Sequence, residues 1–462
     1  MIDTSKKFLV AGAGKSGIGS VNLLLKTGAD VSLYDGKEDL EKEALYEKLY
    51  EKKEIPLILG NITKEDVSKF DLLVLSPGIS VNAPIAQMFY DQEKPVWSEI
   101  ELAYQASKGR IAAITGTNGK TTTTAMLGKI MSDYLDSVYV VGNIGTPYTS
   151  VALDTKEETV TVAEISSFQL ETIQDFQPAV SAILNITEDH LNRHHTMAEY
   201  IRVKELITSN QGPEDVCVLN YEDEILREFG KNIVPKAVYF SSARELEKGI
   251  FLRGDQIILR TEKEEIPVVR TGELKLLGTH NFENVMAAVT MAYYAGVDMD
   301  SIRKSICEFT AVEHRIEYVT EKNGVAYYND SKGTNPDAAI KGIQAMNRPT
   351  LLIGGGYDKE SSYDEWIQAF DGKVRYLVLI GQTKEKIKAA AEKNGFHDII
   401  LCEDLKEAVQ VCADKANVGD AVLLSPACAS WGQFDNYEQR GQMFKEYVRA
   451  CLLYTSPSPR DK

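Results

Sequence analysis

The chain has 462 residues and a formal net charge of −17, since 68 aspartate and glutamate residues outnumber 51 lysine and arginine residues. Its hydrophobic content of 44% is ordinary for a globular protein, and its length is enough for about two to four domains. The acidic balance disfavours non-specific binding to nucleic acid or to an anionic membrane, so we expect neither as a partner.

The first predicted domain, residues 1–98, opens with a strand over Phe8–Ala11 and a glycine-rich turn, Gly12-Ala-Gly-Lys-Ser-Gly17. A second strand ends at Asp35. This layout is typical of a Rossmann-like dinucleotide site, where glycines admit the pyrophosphate and the acid binds a ribose hydroxyl. The residues alone leave three interpretations open: an NAD site, a site for another nucleotide diphosphate, or a structural turn. Lys15 suits a phosphate without choosing between the ligands.

The second predicted domain, residues 99–311, contains the most informative segment. A strand over Ile111–Ile114 runs into the turn Gly116-Thr-Asn-Gly119, and Lys120 and Thr121 then begin a helix. Backbone N–H groups and a helix N-terminus would face an anion there, while the lysine neutralises it and the hydroxyl reaches magnesium. The loop is shorter than the common P-loop pattern, because isoleucine stands where that pattern has its first glycine. An ordinary glycine turn that carries a lysine is the alternative.

Three further polar positions follow in this domain. Glu164 ends a buried strand and could hold magnesium opposite Thr121, or be a solvated strand-end acid. His190 lies in a polar segment that could bind a metal or phosphate, or form an ordinary loop. Lys204 lies on a helix pattern, where a lone lysine is normally a surface residue.

Short alternating strands between about 220 and 269 predict a small side sheet beside the parallel sheet of this domain. Asn281 and Asn284 come next, three residues apart at the start of an apolar helix pattern. They could read a purine edge or cap the helix.

The third predicted domain, residues 312–450, alternates apolar strands with helices and is expected to be a second Rossmann-like α/β unit. Arg315, Asp330 and Lys359 are its charged candidates, although capped helix ends and solvated turns explain each of them equally well. Residues 451–462 resemble translated sequencing-adapter DNA, and we interpret them as a non-native tail.

The six cysteines show no paired or zinc-type spacing, and no apolar run reaches the roughly 20 residues of a membrane helix. We therefore expect reduced thiols and a cytoplasmic location, with no membrane partner.

The order of these motifs is more specific than any one of them. The series comprises G-T-N-G-K-T-T (116–122), E-I-S-S-F-Q-L (164–170), N-I-T-E-D-H-L-N-R-H (185–194), Y-x-x-x-K (200–204), G-x-H-N-x-x-N (278–284), H-R-x-E (314–317), N-D-S-K-G-T-N (329–335) and G-G-x-D-K (355–359). It resembles the Mur ligases of peptidoglycan synthesis and covers the chain to about Ala450. Two segments, Ser76-Pro-Gly-Ile79 and Ser425-Pro-Ala-Cys-Ala-Ser-Trp431, are most like the members that add D-glutamate.

The resemblance implies an ATP- and Mg²⁺-dependent carbon–nitrogen ligase, monomeric, with UDP-N-acetylmuramoyl-L-alanine and D-glutamate as substrates. ATP would phosphorylate the substrate carboxylate, and the amine of D-glutamate would attack the acyl phosphate. The implied architecture has three α/β domains: a Rossmann-like one for the UDP end, a central P-loop-type ATPase domain, and a C-terminal Rossmann-like one for the amino acid.

The resemblance also assigns residues to roles. Those implied to contact ATP are Gly116, Thr117, Asn118, Gly119, Lys120, Thr121, Thr122, Asn281, Asn284, Arg315 and Asp330. Those on the side of the UDP substrate are Lys15, Ser16, Asp35, Gly78 and Asn143. Those around D-glutamate are Thr334, Lys359, Ser430 and Tyr437. The magnesium ligands are Thr121, Glu164, His190 and Lys204, the last as a carbamate, and the catalytic residues are Lys120, His190 and Lys204.

The sequence leaves three rival functions open. An NAD-dependent oxidoreductase would explain the first glycine turn but not Lys120 or Lys204. A regulatory nucleotide-binding module would bind ATP without releasing phosphate. Another ligase of the same family, for L-alanine, a diamino acid or folylpolyglutamate, is the closest rival; the absence of a D-N-P-R type segment argues against the diamino-acid version.

Overall fold

The computed structural model describes residues 2–143, 146–310, 312–358 and 360–451. The chain divides into two compact units: Met1–Thr271 with Glu283–Cys307, and Gly272–Phe282 with Glu308–Lys462. The first unit contains two β-sheets and the second contains one. Within the described residues, no helix combines the length and apolar character required to cross a membrane.

The N-terminal sheet is parallel, with strand order β3-β2-β1-β4-β5. Its strands are β1 (Lys7–Ala11), β2 (Asp30–Asp35), β3 (Leu57–Leu59), β4 (Leu72–Leu75) and β5 (Val96–Ser98). The helices of this region are α1 (Lys15–Thr27), α2 (Lys42–Tyr46), α3 (Lys64–Ser68), α4 (Pro84–Tyr90) and α5 (Glu99–Ala106). Because β1 pairs with both β2 and β4, the strand order reverses beside β1, which is where open α/β sheets bind ligands.

The central sheet has the order β14-β13-β12-β11-β10-β9-β6-β8-β7. Its strands are β6 (Arg110–Thr115), β7 (Val138–Gly142), β8 (Val160–Glu164), β9 (Val180–Ile183), β10 (Val216–Asn220), β11 (Lys236–Ser241), β12 (Gly249–Arg253), β13 (Gln256–Arg260) and β14 (Glu265–Arg270). The strands from β7 to β12 are parallel, and β12–β14 form an antiparallel meander. The strands predicted as a separate side sheet therefore continue the main sheet, because β11 pairs directly with β10.

The helices of the central region are α6 (Lys120–Tyr134), α7 (Ser167–Leu170), α8 (Leu191–His194), α9 (Met197–Glu205), α10 (Glu224–Phe229), α11 (Thr279–Tyr294) and α12 (Met299–Glu308). The helix α11 begins at Thr279 and therefore carries both candidate asparagines near its start, as the sequence predicts.

The C-terminal sheet has the order β15-β16-β20-β17-β18-β19. Its strands are β15 (Glu317–Lys322), β16 (Val325–Asn329), β17 (Thr350–Gly355), β18 (Val374–Ile380), β19 (Ile399–Leu401) and β20 (Ala421–Leu424), and its helices are α13 (Pro336–Gln344), α14 (Asp364–Gln368), α15 (Lys384–Lys393), α16 (Leu405–Lys415) and α17 (Tyr437–Cys451). The β15–β16 hairpin is antiparallel and the other pairs are parallel. The predicted α/β class with three mainly parallel sheets is confirmed.

Two predictions lie outside the described residues. One concerns Lys359, and the other concerns the segment 452–462 of the suspected tail. The cysteines at positions 217, 402, 412 and 428 are free thiols.

Candidate active site

The loop between β6 and α6 has a backbone that only glycine fits well at two positions. Gly116 has φ 144°, and a Cβ there would lie 3.1 Å from the Leu184 backbone nitrogen. Gly119 has φ 87°, and a Cβ there would lie 2.3 Å from Oδ1 of Asn284. The left-handed conformation and the close neighbours together explain both glycines.

Asn185, which lies two residues after the end of the strand β9, holds this loop in place. Its side chain accepts a 2.8 Å hydrogen bond from the Asn118 N–H and donates one of 3.1 Å to the Asn118 carbonyl. Its own carbonyl accepts from the Thr117 N–H at 2.9 Å. Sequence reasoning did not assign Asn185 a role of its own. Its position after a strand adjacent to β6 is the signal that could have found it.

Lys120 opens the helix α6 and lies over the loop. Its Nζ donates 2.9 Å hydrogen bonds to the carbonyls of Gly116 and Thr117. Thr121 is half-buried, Thr122 is buried, and Thr123 donates to Asn284 Oδ1 at 3.3 Å. The arrangement combines a fixed cation with the N-terminus of a long helix, which is favourable for binding phosphate.

Lys204 of the helix α9 is 1% exposed, contrary to what is normal for a helical lysine. Its Nζ donates to the Gly116 carbonyl at 2.9 Å and lies 4.8 Å from the ring centroid of Tyr200. Burial, followed by the charge of Lys120, lowers the pKa of Lys204 to about 7. Tyr200 in turn contacts the loop through its hydroxyl, 3.1 Å from Thr117 Oγ1. A substantial fraction of the Lys204 amine is thus neutral at physiological pH. It lies directly beneath the loop of residues 116–119, which we call the phosphate loop.

Glu164 ends the strand β8, which pairs with the strand of the phosphate loop so that Glu164 is opposite Ile114. The residue is 2% exposed. Its Oε1 accepts a 3.0 Å hydrogen bond from Asn143, while its Oε2 is buried without a hydrogen-bond partner among the described residues. A buried carboxylate oxygen without a hydrogen-bond partner lowers the stability of the fold unless another group binds to it.

His190 and Arg193 lie in the polar segment after β9. The His190 side chain is half-exposed, its Nε2 lies 3.5 Å from Asp189 Oδ2, and its ring packs edge-on to Phe168 at 4.9 Å. Arg193 forms a 2.6 Å ion pair with Glu171 and donates to the carbonyl of Ile79 at 2.9 Å. Arg193 therefore ties the segment that follows β9 to the loop that follows β4.

The glycine turn after β1 is held by Asp35. One carboxylate oxygen accepts from the Ala13 N–H at 2.8 Å and the other from the Lys37 N–H at 3.0 Å. Lys15 and Ser16 form the first turn of α1, and Gly78 lies in the exposed loop after the adjacent strand β4. These four predicted residues share one end of the N-terminal sheet. The fifth, Asn143, lies beside Glu164 in the central sheet.

Asp330 lies in the second unit at the end of β16 and is 5% exposed. It accepts hydrogen bonds from Ser425 Oγ at 2.7 Å and from the Ile316 N–H at 3.3 Å. Burial raises the pKa of Asp330 to about 7, although the Ser425 hydrogen bond and the charge of Arg315 act in the opposite direction.

The neighbouring segments of the second unit are joined by Arg440, which is fully buried. Its guanidinium donates to the hydroxyl and carbonyl of Ser331 and to the carbonyl of Cys428, at 2.8–3.1 Å. Ser331 also donates to the Tyr437 carbonyl at 2.8 Å, and the Tyr437 ring lies 5.5 Å from Lys332 Nζ. Sequence reasoning had no role for Ser331.

Three further predicted residues of the second unit are Ser430, Thr334 and Asn281. Ser430 is buried, and its carbonyl accepts from Phe434. The Thr334 N–H donates to the Lys332 carbonyl at 2.9 Å, and Asn281 donates to the Leu277 carbonyl at 2.7 Å.

Family models match all three regions of the chain. The Mur ligase MurD-like N-terminal domain matches residues 6–98, the Mur ligase middle domain 114–292, and the Mur ligase glutamate ligase domain 314–428. A protein of Lachnoclostridium phytofermentans is 56% identical over 445 residues, which are 96% of this chain and 98% of the relative. The chain therefore belongs to the Mur ligase family and is an ATP-dependent ligase. The predicted resemblance is confirmed.

That relative is named UDP-N-acetylmuramoylalanine–D-glutamate ligase, as is a protein of Lachnospira eligens that is 53% identical over 444 residues, 96% of this chain and 98% of the relative. Among solved structures, the UDP-N-acetylmuramate-alanine ligase of Thermotoga maritima is similar with a TM-score of 0.59 and 19% identity, over 96% of this chain and 99% of that one. At that identity, the structural likeness supports the fold alone.

Proposed function

We propose that this ligase joins D-glutamate to UDP-N-acetylmuramoyl-L-alanine through an acyl phosphate formed from ATP, in the cytoplasmic synthesis of peptidoglycan precursors. The observation that carries the choice of substrates is the name shared by relatives that are 53% and 56% identical over almost the whole chain. The chemistry is supported by the phosphate loop and by the buried Lys204 beneath it. We further propose that the protein acts as a monomer.

The loop residues 116–122 would hold the triphosphate of ATP. Lys120 is already fixed over the loop by two carbonyl hydrogen bonds, so it can neutralise phosphate charge with little loss of side-chain freedom. Asn281, Asn284, Arg315 and Asp330 are the further residues that we propose as contacts of ATP.

Magnesium ions fit the donors around the loop. Thr121, Glu164 and His190 would supply oxygen and nitrogen ligands. The Oε2 of Glu164, which has no hydrogen-bond partner among the described residues, is an oxygen that a cation would satisfy. When bound, Mg²⁺ would offset the negative charge that accumulates as phosphate moves to the carboxylate.

Lys204 can join these ligands if its amine is carbamylated. The neutral amine nitrogen bonds to the carbon of CO₂ and releases one proton, which leaves an anionic carboxylate in place of a cation. Burial favours this reaction because it lowers the pKa of Lys204 to about 7 and thus populates the neutral amine.

The two other substrates are assigned to the flanking regions. The UDP substrate would be bound by Lys15, Ser16, Asp35 and Gly78, whose position is supported by the strand reversal beside β1. Asn143 of the central sheet is the fifth residue that we propose for this substrate. Thr334, Lys359, Ser430 and Tyr437 would surround D-glutamate. We propose domain boundaries at 1–98, 99–311 and 312–450, with 451–462 as a non-native tail.

The decisive experiment measures phosphate release with UDP-N-acetylmuramoyl-L-alanine, ATP and Mg²⁺ while the amino acid is varied. D-Glutamate should stimulate release, whereas L-glutamate, L-alanine and meso-diaminopimelate should not. A preference for any of these three over D-glutamate would overturn the substrate assignment, and the same assay without an amino acid measures uncoupled hydrolysis.

A further inference from the structure

The turn that carries Arg315 has an unusual backbone. His314 has φ 65° and Ile316 has φ 46°, so both neighbours of Arg315 adopt the left-handed region. A β-branched residue such as isoleucine is rarely found there, at a cost of about 1–3 kcal/mol. Such a conformation persists only where surrounding contacts determine it.

His314 is held from two sides. Its Nδ1 lies 2.9 Å from Nδ2 of Asn329, which also donates to Glu317 Oε2 at 3.0 Å. The helix α17 approaches so closely at Gly441 that a Cβ there would lie 2.2 Å from His314 Nδ1. The His314 ring therefore fills the space that a side chain at Gly441 would need.

Lys445 follows Gly441 by one helical turn and is 6% exposed. Its Nζ contacts Glu313 Oε1 closely and lies 3.1 Å from Glu317 Oε1. Glu313 and Glu317 bracket residues 314–316, so one ammonium group closes both ends of the strained turn. Although Glu313, His314 and Glu317 also have the spacing of a cation site, Lys445 already supplies the positive charge between the two carboxylates.

We propose that Lys445 is a positioning residue for Arg315: by bridging Glu313 and Glu317, it fixes the turn in the conformation in which Arg315 binds ATP. This inference rests on the proposed function, in which Arg315 binds ATP. It assigns to the C-terminal helix α17 a role in nucleotide binding that is carried through the turn rather than by contact with ATP.

Lys445→Met should therefore weaken ATP binding selectively. The expected change is an increase of about tenfold in KM for ATP and in the Kd for ADP measured by calorimetry, with kcat and the KM of the other substrates changed less than twofold. Lys445→Arg should restore most of the affinity, because it can still bridge two carboxylates. Arg348→Met is the matched control: it removes the same charge and a 2.9 Å ion pair with Glu321 at the other end of β15, and should leave ADP affinity unchanged.

Glu313→Gln separates positioning from simple attraction between charges. This variant keeps Lys445 and makes the region more positive, so long-range attraction would tighten ADP binding. Loss of the bridge should instead weaken it, by about threefold. Glu313→Gln also tests the inference if Lys445→Met fails to fold, because the Glu313 side chain is 60% exposed.

Wild-type ADP affinity in folded Lys445→Met, or tighter ADP binding by Glu313→Gln, would overturn the inference. Equal losses for all three substrates would do so as well, because they would indicate general destabilisation. If the wild type releases no phosphate with D-glutamate but both variants lose ADP affinity, the proposed function fails while the positioning role stands.

Discussion

The side-chain amine of Lys204 donates a 2.9 Å hydrogen bond to the carbonyl of Gly116, the first glycine of the phosphate loop. A charged amine at 1% exposure has lost its hydration, and Lys120 lies close enough to repel it. Both effects favour the neutral form. The site thus makes available the one state of lysine that can react with carbon dioxide.

Lys204→Ala is expected to lose at least about 100-fold in D-glutamate-dependent phosphate release, because the proposed carbamate ligand of the metal would be removed. Short carboxylic acids such as formate or acetate should restore part of the activity by supplying the missing carboxylate. Activity equal to wild type without added acid would contradict the carbamate.

Adding bicarbonate provides the control for Lys204. It should raise the activity of wild-type protein that has been depleted of CO₂, and the rise should be larger at pH 8 than at pH 6, because more of the amine is neutral above its pKa of about 7. Lys204→Ala should not respond to bicarbonate at either pH.

Gly119→Ala tests the geometry of the loop. The added Cβ would lie 2.3 Å from Asn284 Oδ1 at a residue with φ 87°, so the loop must shift, at a cost of about 1–3 kcal/mol. We expect the Kd for ADP to rise at least tenfold. Gly272→Ala is a suitable control, since a Cβ at that position meets nothing within 4 Å, and it should leave ADP affinity unchanged. Equal ADP affinity in the two variants would show that the loop tolerates the side chain.

Buried strands with continuous apolar residues were predictable from the sequence. The continuous apolar runs Leu72–Leu75 and Ala421–Leu424 form the strands β4 and β20, because both faces of a parallel strand are covered and turn residues mark its ends. The three-residue strands β3, β5 and β19 were not predicted, since they are too short to show a pattern. The continuity of β11 with β10 depends on which strands pair, and a local pattern does not contain that information.

In the candidate site, too, some features could be predicted from the local sequence, whereas others depend on tertiary structure. The phosphate loop could be predicted because its glycines, lysine and threonine are adjacent in sequence. Lys204 could be singled out only through the resemblance to a family, because a helical lysine is normally exposed and its burial depends on the packing of α9 under the loop. The contacts of Lys445 join positions 313, 317 and 445, which no spacing rule connects.

Glu99 offers a test that is independent of substrates. It is 3% exposed, its Oε1 accepts a 2.8 Å hydrogen bond from Gln169, and its Oε2 has no partner among the described residues. Burial raises the pKa of Glu99 from 4.5 to about 7. Because the folded state retains the proton more strongly than the unfolded chain does, the stability that this group contributes is full below about pH 4.5 and is lost as the pH rises towards 7.

Glu99→Gln should remove that dependence. Glutamine keeps an oxygen for Gln169 and carries no charge, so the free energy of unfolding of the variant should exceed that of wild type at pH 8 by up to about 3 kcal/mol, and the difference should shrink towards pH 5. Thermal or urea unfolding at a series of pH values measures this difference. Glu188→Gln, at an exposed position, is the control and should give the same pH dependence as wild type. A gap between Glu99→Gln and wild type that stays constant from pH 5 to pH 8 would show that Glu99 is charged in the folded protein.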